Sequence, residues 1–190
     1  MLCQSPFAQL PFLQDRKQIY QFLDFCHKRS IAENQTKIAS IALKLDAVDP
    51  LVVLHQLSQP KQLHCYFESR DHNRSIAAVG TAVSLAVKGK QRFFQAKAFI
   101  QKTLDQLLAS HPFELPWLTP RFFCSFTFFE NQFERDSPFP PATLFLPRWQ
   151  VIRWQEHHTA IVNLQINSES NLKQLTEQIW QEFQSLQQAQ

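Results

Sequence analysis

The side chains that could bind a metal ion occur in two compact groups. His64 lies next to Cys65, and His157 lies next to His158. A structural zinc site needs about four ligands at characteristic spacings, and neither pair supplies such a set. We therefore predict structural roles for both pairs and no metal site in this chain.

The acidic residues that could transfer protons lie in two regions. Asp46 and Asp49 are close in sequence, but Asp49 precedes Pro50 and therefore fits the N-cap of a helix. Three further carboxylates lie in a polar loop, where solvation is expected: Glu130, Glu134 and Asp136. No serine, histidine and aspartate stand in the sequence context of a known nucleophile. The sequence thus assigns no catalytic, cofactor-binding or metal-binding residue.

Composition argues against nucleotide and nucleic-acid binding. Gly80 and Gly89 are the only glycines among 190 residues, so the glycine-rich loops that bind nucleotide phosphates are missing. The net charge is only +3. The densest basic run indicates a solvated helix face, because a nucleic-acid footprint would be denser. It consists of Lys88, Lys90, Arg92, Lys97 and Lys102.

One phenylalanine-rich segment invites comparison with RNA-binding domains. Residues Arg121–Phe129 are aromatic in the manner of a strand that stacks RNA bases. That signature requires glycine after the basic residue and small residues before the central aromatic, and Phe122 and Ser125 break it. We therefore expect no nucleic-acid partner.

The cysteines and the apolar segments indicate a soluble, cytoplasmic protein. The four cysteines form no CxxC pair, which fits free thiols in a reducing compartment. The first twelve residues lack a charged region and are broken by Pro6 and Pro11, so no signal peptide is predicted. No apolar run approaches the roughly 18–20 residues that cross a bilayer. The cysteines are Cys3, Cys26, Cys65 and Cys124.

Apolar periodicity predicts alternating helices and strands in the first half of the chain. In the first of these strands, Ala39, Ile41 and Leu43 share one face. The predicted elements are an irregular lead-in over 1–14, a helix from Asp15 to about Arg29, a strand over Lys37–Leu45, a short helix from Asp49 to about Leu57, and strands over Gln62–Ser69 and Arg74–Val87.

The second half predicts two more helices and three strands. Arg121–Phe129 is hydrophobic on both faces and should lie deep inside a sheet. The strand over 159–166 alternates cleanly and should have one wet face. The other predicted elements are a helix over Gln91–Ala109, a strand over 143–154 joined to 159–166 by a hairpin, a helix from Asn171, and a polar tail over 184–190. This order predicts an α+β domain, a largely antiparallel sheet with helices packed on it.

Four segments resemble the front portion of chorismate-utilising enzymes, isochorismate synthases most of all. They are Ser75–Gly80, Lys88–Phe93, the strand Arg121–Phe129, and Phe139–Arg148 with its Phe-Pro and Leu-Pro-Arg ends. Cys124-Ser125 stands where that family usually has a glycine pair, which identifies the chain as a divergent branch.

The resemblance implies that the chemistry lies elsewhere. In that family the chorismate site lies in a later segment with a water-activating lysine, a glutamate general acid and glutamates that bind magnesium, and none of those motifs occurs in this sequence. We therefore expect residues 1–190 to form a single N-terminal domain of a longer enzyme, a non-catalytic scaffold whose partner is the C-terminal catalytic segment. Chorismate and magnesium are implied only for the full-length parent, which would make isochorismate for naphthoquinone or salicylate-type pathways.

Two alternatives to this reading stay open. The chain could be a free-standing interaction module, or part of a related anthranilate, aminodeoxychorismate or salicylate synthase. An uncovered sheet edge could also pair two copies into a homo-oligomer.

Trp149 and Trp154 differ in number by five, which is odd, and so point to opposite faces of a strand. We hypothesise that one of them lies on the surface that receives the rest of the enzyme.

Overall fold

The computed structural model describes residues 12–112, 115–128 and 140–188. Within those ranges the chain forms four α-helices, nine β-strands and a short 3₁₀ turn over Arg70–His72. The elements are α1 (Arg16–Ala32), β1 (Lys37–Lys44), α2 (Pro50–Leu57), β2 (His64–Ser69), β3 (Arg74–Val79), β4 (Val83–Val87), α3 (Arg92–Asp105), β5 (Leu107–Ala109), β6 (Phe123–Phe126), β7 (Ala142–Leu146), β8 (Trp149–Trp154), β9 (His157–Ile166) and α4 (Leu172–Gln187).

The strands form two sheets. The larger has six strands in the order β2-β3-β8-β9-β1-β5, and the smaller has three in the order β4-β7-β6. All neighbours are antiparallel except β1 and β5. The predicted α+β class with a largely antiparallel sheet is thereby confirmed.

Helices cover one face of the six-stranded sheet and form the main core with it. Phe22 of α1 and Ile179 of α4 are fully buried against Ile41 of β1 and Val162 of β9. The opposite face has its own apolar cluster, around Ile152, which the 115–123 connection covers. Both faces of the 159–166 strand are therefore buried except at Gln165, which corrects its predicted wet face.

The helix starts follow from local capping. The side chains of Asp15, Asp49 and Asn171 each accept a hydrogen bond from a backbone N–H of the first turn. The sequence predicts the cap at Asp49 and helix starts near the other two residues. The last helix runs to Gln187 and so includes the first four residues of the predicted polar tail over 184–190. Leu186 is buried, and the Gln187 amide bonds backbone groups beside the end of β1. Of the predicted lead-in over 1–14, residues 1–11 lie outside the described residues.

A bulge divides each of the two long predicted strands between the two sheets. Val79 lies opposite Trp149, and Val83 lies opposite Leu146, so residues 80–82 face only residues 147–148, three against two. The predicted single strands over 74–87 and 143–154 are therefore wrong as continuous elements. One paired ribbon passes instead from the larger sheet into the smaller one.

Gly80 makes this bulge possible. Its φ is +65°, in the left-handed region, and its carbonyl accepts a hydrogen bond from the Arg148 N–H at 3.3 Å. On the next strand Asn163 is fully buried, and its side-chain amide donates to the Pro147 carbonyl at 2.9 Å. The corner where the chain changes sheets is thus fixed by hydrogen bonds from both sides.

We predict that G80A lowers the free energy of unfolding by about 1–2 kcal/mol, the cost of the left-handed conformation for a residue with a Cβ. An added Cβ would lie 3.5 Å from the Arg148 Cβ, an ordinary contact, so the backbone accounts for the cost. Urea unfolding measures the effect. The control is G80N, which we expect to cost less because asparagine tolerates this conformation. Equal losses for both variants would contradict the argument.

The third helix is shorter than predicted. It ends at Asp105, and Leu107–Ala109 form β5, parallel to β1. Leu107 and Leu108 are both buried in separate clusters on the two faces of the sheet, which a strand permits and one helical stripe does not. Phe93, in the first turn of α3, is 56% exposed.

The phenylalanine-rich strand does not lie deep inside a sheet. The strand that it forms, β6, is the outermost strand of the three-stranded sheet and pairs only with β7 among the described residues. Cys124 and Ser125 are exposed. The prediction is wrong here because an apolar run shows affinity for a buried environment but does not show whether this chain supplies one.

Candidate functional site

The structure does not bring the metal-capable residues together. His64 begins β2 at one edge of the larger sheet, whereas His157 and His158 begin β9. The His157 ring stacks on Trp117, with centroids 4.2 Å apart. The described residues contain no group of three or more His, Cys, Asp or Glu side chains that could hold a metal ion.

The predicted carboxylates have local roles or cannot be placed. Asp49 caps α2, its Oδ1 accepting from the Leu51 N–H at 2.9 Å. Asp46 is exposed beyond β1. Glu130, Glu134 and Asp136 lie outside the described residues.

The described cysteines are not activated nucleophiles. Cys26, Cys65 and Cys124 are free thiols, and burial raises the pKa of all three. A raised pKa keeps the thiol protonated at neutral pH and lowers its reactivity. Cys3 lies outside the described residues.

The first surface with functional potential is an exposed group of phenylalanines, which we call the aromatic surface. Phe93 of α3 stacks on Phe126 of β6 with ring centroids 4.9 Å apart. The side chains remain open to solvent: Phe93, Phe94, Phe126 and Phe128 are 56%, 72%, 37% and 88% exposed. Large exposed apolar groups beside an unpaired strand edge are typical of a protein-binding surface.

The second is a pocket where β3 begins and β8 ends, which we call the guanidinium pocket. Strand pairing sets Ser69, Arg74, Trp154 and His157 side by side in one row across four strands. The Arg74 guanidinium lies over the Trp154 ring, 3.6 Å from its centroid. Residues in one cross-strand row share a face, so this cation and the indole are on the same side of the sheet.

Arg121 reaches the same pocket from the connection that lies across this face. Its backbone N–H donates to Gln150 Oε1 at 2.6 Å, and its Nη2 donates to the Pro116 carbonyl at 2.9 Å. The guanidinium carbon is 5.7 Å from the centroid of the Trp154 ring. Burial, and after it the charge of Arg74, lowers the pKa of Arg121. Two cations are thus held close together in a partly dehydrated place.

The pocket carries excess positive charge on apolar walls. Arg153, a third arginine of the lining, is paired with Glu68 at 3.1 Å. Arg74 and Arg121 have no carboxylate partner among the described residues. The cavity measures about 270 Å³, and apolar side chains form much of its wall: Phe67, Ile76, Ile152 and Trp154. Such a pocket can bind an anion with an apolar body.

A wider pocket of about 580 Å³ lies between the end of β1 and the end of α4. Its charged lining residues, Lys44 and Asp46, have opposite signs, and most of its other polar groups are glutamine amides. Phe12, the first described residue, is one of its lining residues. The lining favours neither an anionic nor a cationic ligand.

Sequence reasoning identified neither site. The apolar pattern of Arg121–Phe129 predicts a buried strand, because exposure cannot be seen in an apolar run. The guanidinium pocket joins β3, β8 and the 117–123 connection, and a sequence pattern does not bring those segments together.

None of the helices in the described ranges is long and apolar enough to cross a membrane.

Comparison with known proteins identifies the family. No curated protein matches the sequence. Among solved structures the chain is similar to MenF, the menaquinone-specific isochorismate synthase from Escherichia coli, with a TM-score of 0.45 and 18% identity. That match covers 86% of this chain but only 34% of the MenF chain. A family model described as chorismate binding enzyme matches residues 22–190, and the chain therefore belongs to the chorismate binding enzyme family.

Proposed function

We propose that this chain is the non-catalytic N-terminal scaffold of an isochorismate synthase-like enzyme of the cytoplasm. Its partner is a C-terminal segment of the same enzyme, which binds chorismate and magnesium and forms isochorismate for naphthoquinone or salicylate-type pathways. Membership of the chorismate binding enzyme family supports the substrate class. The aromatic surface supports the scaffold role and is the observation that carries it.

The aromatic surface has a strong energetic reason to be covered. Full burial of one phenylalanine side chain contributes about 1.5–3 kcal/mol, and four are exposed within α3, β6 and the residues after β6. The outer edge of β6 has no strand paired with it among the described residues. A catalytic segment that adds a strand there and packs on the phenylalanines would gain both the hydrogen bonds and the apolar burial.

The rest of the fold holds this surface rigidly. The β3–β4 and β7–β8 ribbon joins the smaller sheet to the larger one, and α3 packs on the smaller sheet through Ala96 and Leu144. The larger sheet is in turn fixed by the helical core. The chain thus presents the β6 edge in one defined orientation, which is what a scaffold must do.

Co-expression as two polypeptides tests the proposal. Residues 1–190 and the C-terminal catalytic segment of an isochorismate synthase are produced together, and isochorismate formation is followed with chorismate and Mg²⁺. We expect no turnover from residues 1–190 alone and turnover from the associated pair. F126D should weaken association at least tenfold, because a carboxylate buried in an apolar interface costs well over 1.4 kcal/mol.

I31D is the matched control, since Ile31 of α1 is 54% exposed and lies far from β6 in the sequence. It should associate like the unchanged chain. Melting temperatures of both variants show that folding is retained. Turnover by residues 1–190 alone, or equal association of F126D and the unchanged chain, would overturn the scaffold role.

The same surface also favours a second candidate, a free-standing interaction module. This alternative predicts that residues 1–190 bind a protein other than a chorismate-utilising segment, or a second copy of themselves, and it predicts no restored turnover. The products of the co-expressed pair separate the related activities, because anthranilate, aminodeoxychorismate and salicylate synthases release different compounds from isochorismate.

A further inference from the structure

We propose that the guanidinium pocket binds a small carboxylate with an apolar ring. The site is separate from the aromatic surface and uses different residues. Its ligand is therefore independent of the catalytic segment in the proposed function, and the two ideas can fail separately.

The charge in the pocket calls for an anion. Arg74 and Arg121 lie on the same indole, at 3.6 and 5.7 Å from its centroid, and neither has a carboxylate partner among the described residues. Holding two cations together in a half-buried place is unfavourable unless a negative group comes between them. A guanidinium binds a carboxylate through two parallel N–H groups, which is the geometry that arginine provides best.

Donors remain for such a ligand. The Nε of Arg74 is buried and has no hydrogen-bond partner within the described residues. Arg121 uses Nη2 on the Pro116 carbonyl, and its other guanidinium nitrogens have no acceptor among the described residues. Stacking on Trp154 fixes the plane of the Arg74 guanidinium, so its donors are already oriented before a ligand arrives.

The walls define the rest of the ligand. Phe67, Ile76 and Ile152 lie opposite one another on β2, β3 and β8 and form an apolar floor beside the two cations. An inorganic anion would leave this floor without contacts. The cavity of about 270 Å³ is at the small end of ligand sites, which suits one ring with its carboxylate rather than an acidic peptide.

Titration with benzoate tests the proposal. Binding to the whole chain is followed by calorimetry and by the NMR signal of the Trp154 indole N–H, assigned with W154F. We expect benzoate to bind and to raise the melting temperature, because a ligand of the folded state stabilises it. Benzyl alcohol, which has the ring without the charge, and inorganic phosphate, which has the charge without the ring, should each bind at least tenfold more weakly.

R74Q and R121Q should each raise the benzoate dissociation constant at least tenfold. R16Q is the matched control: Arg16 also lies over a tryptophan, 5.8 Å from the Trp180 centroid, but is paired with Glu177 on the far side of the molecule. R121K keeps the charge if R121Q fails to fold, and it should bind more weakly than the unchanged chain.

Any of four results would overturn the proposal. The first is no benzoate binding up to about 10 mM, well above a millimolar dissociation constant. The second is equal affinity for phosphate or benzyl alcohol. The third is a loss in R16Q as large as in R74Q. Binding of an acidic peptide in place of benzoate would assign the pocket to a protein partner and would also reject the small-ligand proposal.

Discussion

Replacement of Trp149 by alanine is expected to lower the free energy of unfolding by about 3–5 kcal/mol, the cost of truncating a large core aromatic. Trp149 is only 4% exposed and lies in the main core beneath the helices. Its indole N–H donates to Glu182 Oε2 at 2.7 Å, and the same oxygen accepts from Arg148 at 3.1 Å. The change therefore removes apolar contacts and the hydrogen bond that joins Trp149 of β8 to Glu182 of α4. Urea unfolding measures the loss.

W154A is the comparison. Trp154 lies on the opposite face of β8, as its odd spacing predicts, but is only half-buried. We expect W154A to cost no more than about 1–2 kcal/mol and to abolish the benzoate response. W149F, which keeps a ring but loses the indole N–H, should fall between the two. Equal destabilisation by W149A and W154A would show that Trp149 does not hold the core.

The different burial of Trp149 and Trp154 also bears on the hypothesis that one of them lies on the surface that receives the rest of the enzyme. Trp149 is enclosed by this chain's own helices, so no surface is available there. Trp154 borders the guanidinium pocket. The proposed receiving surface is formed by phenylalanines of α3 and β6 instead.

The second prediction with a large expected effect is a loss of stability at acidic pH. Burial lowers the pKa of His111 to about 4, and a hydrogen bond with the Pro112 carbonyl opposes this only in part. His111 is 1% exposed and follows β5 directly. Between pH 6.5 and about 4 the unfolded chain binds a proton that the folded chain does not, so stability falls as the pH falls through this window. The loss at pH 4 reaches up to about 3 kcal/mol.

The difference between the unchanged chain and H111Q isolates this effect. Carboxylates elsewhere titrate equally in both proteins and cancel. We expect H111Q to cost stability at pH 7 and to cost less, or to stabilise, at pH 4.5, as measured by urea unfolding at each pH. A difference that stays constant between pH 7 and pH 4.5 would show that His111 takes up its proton without unfolding.

Features that depend on residues close together in the sequence could be predicted for this chain. Features that depend on which strands pair could not. Asp15, Asp49 and Asn171 predict helix starts because a cap acts on backbone groups two or three residues away. The bulge at Gly80 depends on residues 147–148, which no window around residue 80 contains. β6 looks like a buried strand because apolar periodicity shows affinity for burial without showing what covers it.

Sites assembled from distant segments are the hardest to predict. Arg74 looks like an ordinary first residue of a strand, and Arg121 like the end of a proline-rich connection. Their shared partner, Trp154, becomes apparent only once the order β3-β8-β9 is known. The family resemblance was readable because it depends on the order of short motifs, which needs no knowledge of pairing.

The bulge has an evolutionary consequence. The register in which β3 pairs with β8 differs by one residue from the register in which β4 pairs with β7. This difference of one residue arises at the bulge, where the three residues 80–82 lie opposite the two residues 147–148. A deletion on one side alone would turn every side chain beyond it to the wrong face. We expect length changes among relatives to occur at both segments together, and a lone deletion of Thr81 to be rescued only by altering the 147–148 corner.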